Sequence, residues 1–168
     1  MDQNENNNKL LDKLILIKKE NKIKAYLVAT ILAASIILSL IFIQYQNKKN
    51  STIAEKFIEA GVYLSANDND SARQIFEEII LSKNKFYSAL SLSTILEKDL
   101  ISSEEKILNY FSIVQSITKS QDQKDLLILK KGLYLIRIKK TKDGQKLLKR
   151  LIKEGSKFAF LAKEVIDK

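Results

Sequence analysis

Apolar residues follow two different patterns along the chain. From Ala25 to Ile43 the stretch AYLVATILAASIILSLIFI runs nineteen residues without a charge, so a helix built from it is apolar on every face. From Ser51 onward apolar residues recur at i, i+3, i+4 and i+7, the spacing of helices that bury one face. At 1.5 Å per residue the first stretch reaches roughly 28 Å, about the hydrocarbon thickness of a bilayer. Its polar members, Tyr26, Thr30, Ser35 and Ser39, carry hydroxyls that a helix can tie to its own carbonyls. Tyr26 and Tyr45 bracket the run, where the headgroup layer favours a ring with a polar tip.

Soluble core helices rarely stay apolar on all faces for five turns. A cleaved signal peptide has a shorter apolar region, roughly 7–15 residues, followed by a small-x-small site. Here a polar and basic lead occupies residues 1–24, and the run exits into QYQNKKN without such a site. The reading is an uncleaved signal anchor over 25–45, with Ala25, Tyr26, Ala29, Ala33, Ile43 and Tyr45 as anchor residues. Ala25, Ala29 and Ala33 also form a small-residue row of the kind along which membrane helices approach each other. Residues 10–24 hold five lysines (Lys13, Lys18, Lys19, Lys22, Lys24) against three in 46–60 (Lys48, Lys49, Lys56). That bias predicts a cytoplasmic N-terminus and a C-terminal domain on the other side.

Residues 1–9, MDQNENNNK, read as an unstructured polar tail, and 10–17, LLDKLILI, either lies on the membrane surface or extends the membrane helix. Residues 46–50 form a short polar stalk, and 51–168 a helical domain. The first helix of that domain carries Ile53, Ala54, Phe57, Ala60, Gly61 and Leu64 on one face. Asn69 or Asp70 caps the next helix, which buries Ala72, Ile75, Phe76, Ile79 and Ile80. A third helix covers 86–97, with Phe86, Ala89, Leu90 and Leu92 inward, and Ser102 with Glu105 forms the capping box of a fourth, striped by Ile107, Leu108, Phe111 and Val114. A fifth places Leu126, Leu129, Leu133 and Ile136 in register. Residues 140–144 turn the chain into a sixth, striped by Leu147, Leu148, Leu151 and Ile152. Gly155 stops it, and Phe158, Leu161, Ala162 and Val165 mark a seventh. No stretch alternates with period two. The fold class is all-α, with a single N-terminal transmembrane helix followed by an array of helical hairpins.

Composition narrows the function. The chain has no Cys and no His, which removes thiol chemistry, thiolate and imidazole metal sites and the commonest general base near neutral pH. Its four glycines are scattered, so there is no phosphate-binding loop, and no pair of carboxylates or lysines is placed by spacing for catalysis. The expectation is a binding protein rather than an enzyme, with no cofactor, no metal and no small-molecule substrate. Charge is uneven: residues 51–123 carry 7 basic and 11 acidic side chains, and residues 124–168 carry 14 and 5. Lys130, Lys131, Arg137, Lys146, Lys149 and Arg150 are therefore either a solvated face or a basic surface for phospholipid headgroups or an acidic partner. Nucleic acid is disfavoured, since basic residues and aromatics do not interleave as in the known modules.

Ala60, Tyr63, Ala72 and Phe76 sit at the spacings of the tetratricopeptide (TPR) pattern, which this hairpin resembles. Thirty-four residues after Ala72 and Phe76 stand Lys106 and Tyr110, and Asn84 occupies the place of the usual proline. Together with the layout of tail, membrane helix and helical array, three stretches resemble the ancillary subunit family of the SecYEG translocon: NKFYSALSL at 84–92, LKKGLYLIRIKKTKDGQKLLKRLI at 129–152 and SKFAFLAKEV at 156–165. The resemblance implies a bacterial inner-membrane protein with a periplasmic TPR-like domain that binds translocon subunits or periplasmic chaperones. A TPR-like scaffold of another envelope complex is the alternative.

Overall fold

The computed structural model describes the backbone of residues 2–167 and the side chains of residues 22, 24, 26–28 and 30–167. Among them are seven helices and no strand: α1 (Asp2–Ser65), α2 (Asn69–Leu81), α3 (Tyr87–Glu97), α4 (Glu104–Ile117), α5 (Gln121–Arg137), α6 (Thr141–Lys153) and α7 (Ala159–Ile166). The all-helical expectation holds. The chain divides into two compact units, Met1–Lys49 and Asn50–Lys168.

In the first unit α1 is long and apolar enough to cross a membrane. Its described part from Tyr26 contains a window of mean hydropathy 2.6, none of it buried. Thr30 Oγ1 donates to the carbonyls of Tyr26 and Leu27 at 3.0 and 2.9 Å, Ser35 Oγ to Ile31 O at 2.8 Å, and Ser39 Oγ to Ser35 O at 2.8 Å. The hydroxyls are thus satisfied within the helix, as a span without water requires. Tyr26, Ala33, Ile43 and Tyr45 are exposed, while the side chains of Ala25 and Ala29 lie outside the described residues. Two expectations need correction. Neither an unstructured tail over residues 2–9 nor a stalk over 46–50 interrupts α1. The cause is the absence of breakers: the chain has no proline, and its first glycine is Gly61.

The second unit begins with the last turns of α1, where Ile53 and Ala60 are buried against Ala72, Phe76, Ile79 and Ile80 of α2. The Phe57 and Phe76 rings meet at 5.5 Å between centroids, tilted by 60°, Lys56 pairs with Glu78, and Asn84 Nδ2 donates to Asn50 Oδ1 at 2.9 Å. α2 is capped by Asp68 rather than by Asn69 or Asp70, with Ser71 N donating to Oδ1 at 3.1 Å and Ser71 Oγ to Oδ2 at 2.7 Å. α4 is capped by Ser103 rather than Ser102. The first cap lies one position before the expected pair and the second one position after the expected serine, and each stands three residues before the amide from which it accepts.

Turn geometry recurs along the unit. The α1–α2 turn places Asn67 at φ 61°, with Asp68 N donating to Tyr63 O at 2.9 Å. At the same offset further on, the α5–α6 turn places Lys139 at φ 65°, with Lys140 N donating to Leu135 O at 2.8 Å. After α2 comes Lys83 at φ 56° and after α6 comes Gly155 at φ 65°. The next side chain then caps the following segment: Asn84 Oδ1 accepts from Phe86 N, and Ser156 Oγ from Phe158 N. These left-handed closures satisfy the carbonyls at the helix ends.

Helix pairs differ in how closely they approach. Gly144 belongs to α6, not to the turn where its residue type suggested it. A Cβ there would lie 2.6 Å from Gly132 O and 2.6 Å from Ile136 Cγ1, so α5 and α6 meet backbone to backbone. In the α1–α2 pair the corresponding positions are Ala60 and Ala72, both fully buried. α3 and α4 bury larger apolar side chains, Leu92 and Ile95 on one helix and Ile107, Tyr110, Phe111 and Val114 on the other.

Two outcomes follow for unfolding of the full chain in mild detergent. Gly144→Ala overpacks the α5–α6 crossing and should cost about 1–3 kcal/mol. Gly61→Ala, whose Cβ meets nothing within 4 Å, should stabilise by about 0.5–1 kcal/mol. Equal effects would show that the crossing is not tight. Separately, the two hydrogen bonds from Ser71 hold the Asp68 carboxyl below its ordinary 3.8. The cap therefore stabilises above that value and is lost as pH falls through the lower folded-state pKa. Asp68→Ala should lower the melting temperature at neutral pH and do so far less in strong acid.

Candidate binding groove between α3 and α5

α3 has apolar side chains around more than half its circumference, and packing selects which of them go inward. Ser88, Ser91, Leu92 and Ile95 are buried, at i, i+3, i+4 and i+7. Ser88 Oγ donates to Ile79 O at 2.9 Å, tying α3 to the end of α2, while Ser91 Oγ is buried without a partner among the described residues. Small serines let α3 lie close on α2; of the residues expected inward, Leu92 is buried and Ala89 packs against the core, whereas Leu90 and Phe86 turn outward. Leu90 is 38% exposed and Phe86 64% exposed.

The same thing happens on α5. Ile128, Leu129 and Gly132 face α6, whereas Leu127 and Tyr134 join the core formed by α1–α4. A helix clamped on two sides leaves a third strip, and Leu126 and Leu133, expected inside, are exposed along it. Leu129 and Ile136 of the expected stripe do pack inward.

The outward strips of α3 and α5 bound a groove in two parts. One part, about 470 Å³, is lined by Phe86, Leu90, Val114, Leu126 and Leu127, with Lys85 and Lys130 at its margin. The other, about 290 Å³, is lined by Leu96, Glu97, Leu133, Tyr134 and Arg137. Lys130 and Ser93 belong to both, and Lys130 Nζ donates to Ser93 Oγ at 2.5 Å. Lys130 hydrogen-bonds a neutral hydroxyl and, although Glu97 lines the same part of the groove, forms no ion pair with it; such an ammonium favours an incoming carboxylate, because a charge-assisted bond is the stronger one.

The far end of the groove is held by ion pairs. Arg137 Nη1 donates to Leu96 O at 3.1 Å, in the last turn of α3, and pairs with Asp99 at 2.8 Å over the Tyr134 ring. Lys140 pairs with Glu104 at the start of α4, and that hydrogen bond raises its pKa above 10.5. Burial, reinforced by the charge of Glu104, pushes the Tyr134 phenol above 10.0, so it stays neutral at physiological pH.

Ala60, Ala72 and Phe76 are brought together in one core cluster, with Tyr63 partly buried against it. The six basic residues proposed from charge do not form one surface. Lys130 and Arg137 line the groove, on the opposite side of α5 from Gly132. Lys131 is half-buried, Lys146 and Lys149 are exposed on α6, and Arg150 pairs with Glu154 at 2.8 Å. Leu90, Leu126, Leu133 and Ser93 were missed as groove residues. The available signal was an excess of apolar positions on α3 and α5 over what one face can bury.

No protein-family model matches the chain, and neither does any curated protein or solved structure.

Leu92→Ala should cost about 2–5 kcal/mol and Leu90→Ala about 1 kcal/mol or less, because only the first empties a buried site. Chemical denaturation of the two variants tests the assignment, and similar losses would put Leu90 back in the core.

Proposed function

We propose that the chain is a single-pass protein of a bacterial inner membrane, with its N-terminus cytoplasmic and its C-terminal unit periplasmic. In this reading the C-terminal unit is a TPR-like protein-binding module accessory to the secretion translocon or to periplasmic chaperones. The observation that carries the binding role is the groove between α3 and α5, apolar along its floor and crossed by an ammonium with no carboxylate partner. The lysine bias before α1's apolar run supports the orientation, and the recurring turn geometry supports the repeat reading.

The groove takes a segment of a partner protein. Apolar side chains of that segment cover Leu90, Leu126 and Phe86, and one of its carboxylates replaces Ser93 as the partner of Lys130. First helices of successive hairpins line one face of such an array, which places α3 and α5 side by side for this purpose. The anchor contributes through effective concentration, since a module confined to the membrane meets partners there far more often than a free one.

Two measurements test this in cells. An export-dependent reporter fused at the C-terminus should be active, and silence there would overturn the orientation. Photo-crosslinking residues at Leu90 and Leu126 should capture translocon subunits or periplasmic chaperones, whereas one at Gln115, exposed on α4, should not. Lys130→Glu should abolish those crosslinks and Lys130→Arg should keep them. Crosslinks only to another envelope complex would replace the secretory assignment with a scaffold role, and equal capture from Gln115 would overturn the groove.

A further inference from the structure

Among the exposed residues of α6, which also include Thr141, Asp143, Arg150 and Ile152, four lysines form a row. Lys142, Lys146, Lys149 and Lys153 stand at i, i+4, i+7 and i+11, along one side of the helix over roughly 16 Å. The buried residues Gly144, Leu148 and Leu151 occupy the opposite side. All four lysines are exposed, and among the described residues none has a carboxylate within ion-pair distance. Neighbouring cations are treated differently: Arg137 pairs with Asp99, Lys140 with Glu104, Arg150 with Glu154 and Lys157 with Asp122.

Folding does not account for the row. Like charges three and four apart weaken an isolated helix. The helix dipole favours a cation in the last turn, which suits Lys153, but disfavours one in the first turn, where Lys142 stands.

We propose that this face of α6 docks on anionic phospholipid headgroups of the bilayer that α1 crosses, a proposal that rests on the membrane-spanning reading of α1. Three observations favour a lipid surface over an acidic protein. The row consists of ammonium groups alone, point charges without directional demand, which suit a fluid layer of phosphates; a fixed carboxylate pattern is better met by guanidinium forks. The side chains are spread along a line rather than gathered around a pocket. Finally, a chain anchored by α1 meets headgroups at high effective concentration, and each lysine near an anionic surface adds to the attraction.

The full chain reconstituted in nanodiscs tests this. Because the chain has no cysteine, Thr141→Cys at the exposed start of α6 gives a unique site for a fluorophore. Quenching by nitroxide-headgroup lipid then reports contact with the surface. Quenching should be several-fold greater in discs containing phosphatidylglycerol than in phosphatidylcholine alone, and should disappear at high salt. Each single Lys→Gln change in the row should reduce the docking equilibrium constant about fivefold. Lys142→Gln, Lys146→Gln, Lys149→Gln and Lys153→Gln combined should abolish quenching, the four Arg equivalents should keep it, and circular dichroism should be unchanged in both. Equal quenching in the two discs, persistence in the combined Gln variant, or no quenching in either disc would overturn the docking; the last result would leave the row to an acidic protein. Failure of the chain to enter either disc would instead overturn the span, and the docking with it.

Discussion

The size of the side chains where two helices cross decides how close those helices come, and the rest of the C-terminal unit depends on that distance. At Gly132 and Gly144 there is no side chain at all, and the backbones of α5 and α6 touch. At the α1–α2 crossing Ala60 and Ala72 are fully buried, and on α3 the small Ser88 and Ser91 are buried too, Ser88 donating to the Ile79 carbonyl of α2. A helix committed to a close neighbour on one side has little freedom to turn. Its remaining apolar residues are then carried wherever the seam leaves them, which is how Leu90, Leu126 and Leu133 come to the surface.

The groove is therefore a by-product of tight packing elsewhere rather than a defect in the core. α3 is held on α2 and α5 on α6, so these two helices do not close on each other, and polar bridges span the gap: Lys130 to Ser93, and Arg137 to the Leu96 carbonyl. Both bridges are made by long side chains, whose apolar stems add to the wall while the charged ends stay accessible. Of the two, Arg137 is fixed by Asp99 and Tyr134, and Lys130 is held by one neutral oxygen. The difference makes Lys130 the group that a ligand can recruit at least cost.

Charge is distributed by the same logic of commitment. Near the helix ends, cations pair across elements, joining α5 to the α3–α4 loop and α7's approach to the start of α5. Such pairs at the surface contribute little to stability individually, yet they fix where loops lie and hence the shape of the groove. The excess of basic residues after residue 124 is not spread evenly over what remains. Four of these lysines line the outer side of α6, where Asp143 and Arg150 are exposed as well.

The all-helical class, the long uncharged run in α1, the order of the later helices and the inward faces of α2 and α4 are legible in the residues alone. These are local properties: unbroken helix formers, turn residues and a periodic stripe suffice when a helix has one apolar face. Ala72, Phe76, Ile107, Phe111 and Val114 are buried as their spacing demanded. For α3 and α5 periodicity had no unique answer, because apolar residues cover more than one face. There the choice fell to partner helices, which favoured serine and glycine at the seams for closeness and left leucines outside. Gly144 looked like a turn residue because glycine ends helices as readily as it lets them touch, and only its position against Gly132 and Ile136 separates the two uses. The same holds for the basic third of the chain: a charge count finds the excess, but which ammonium groups meet a carboxylate depends on the packing of α5, α6 and α7.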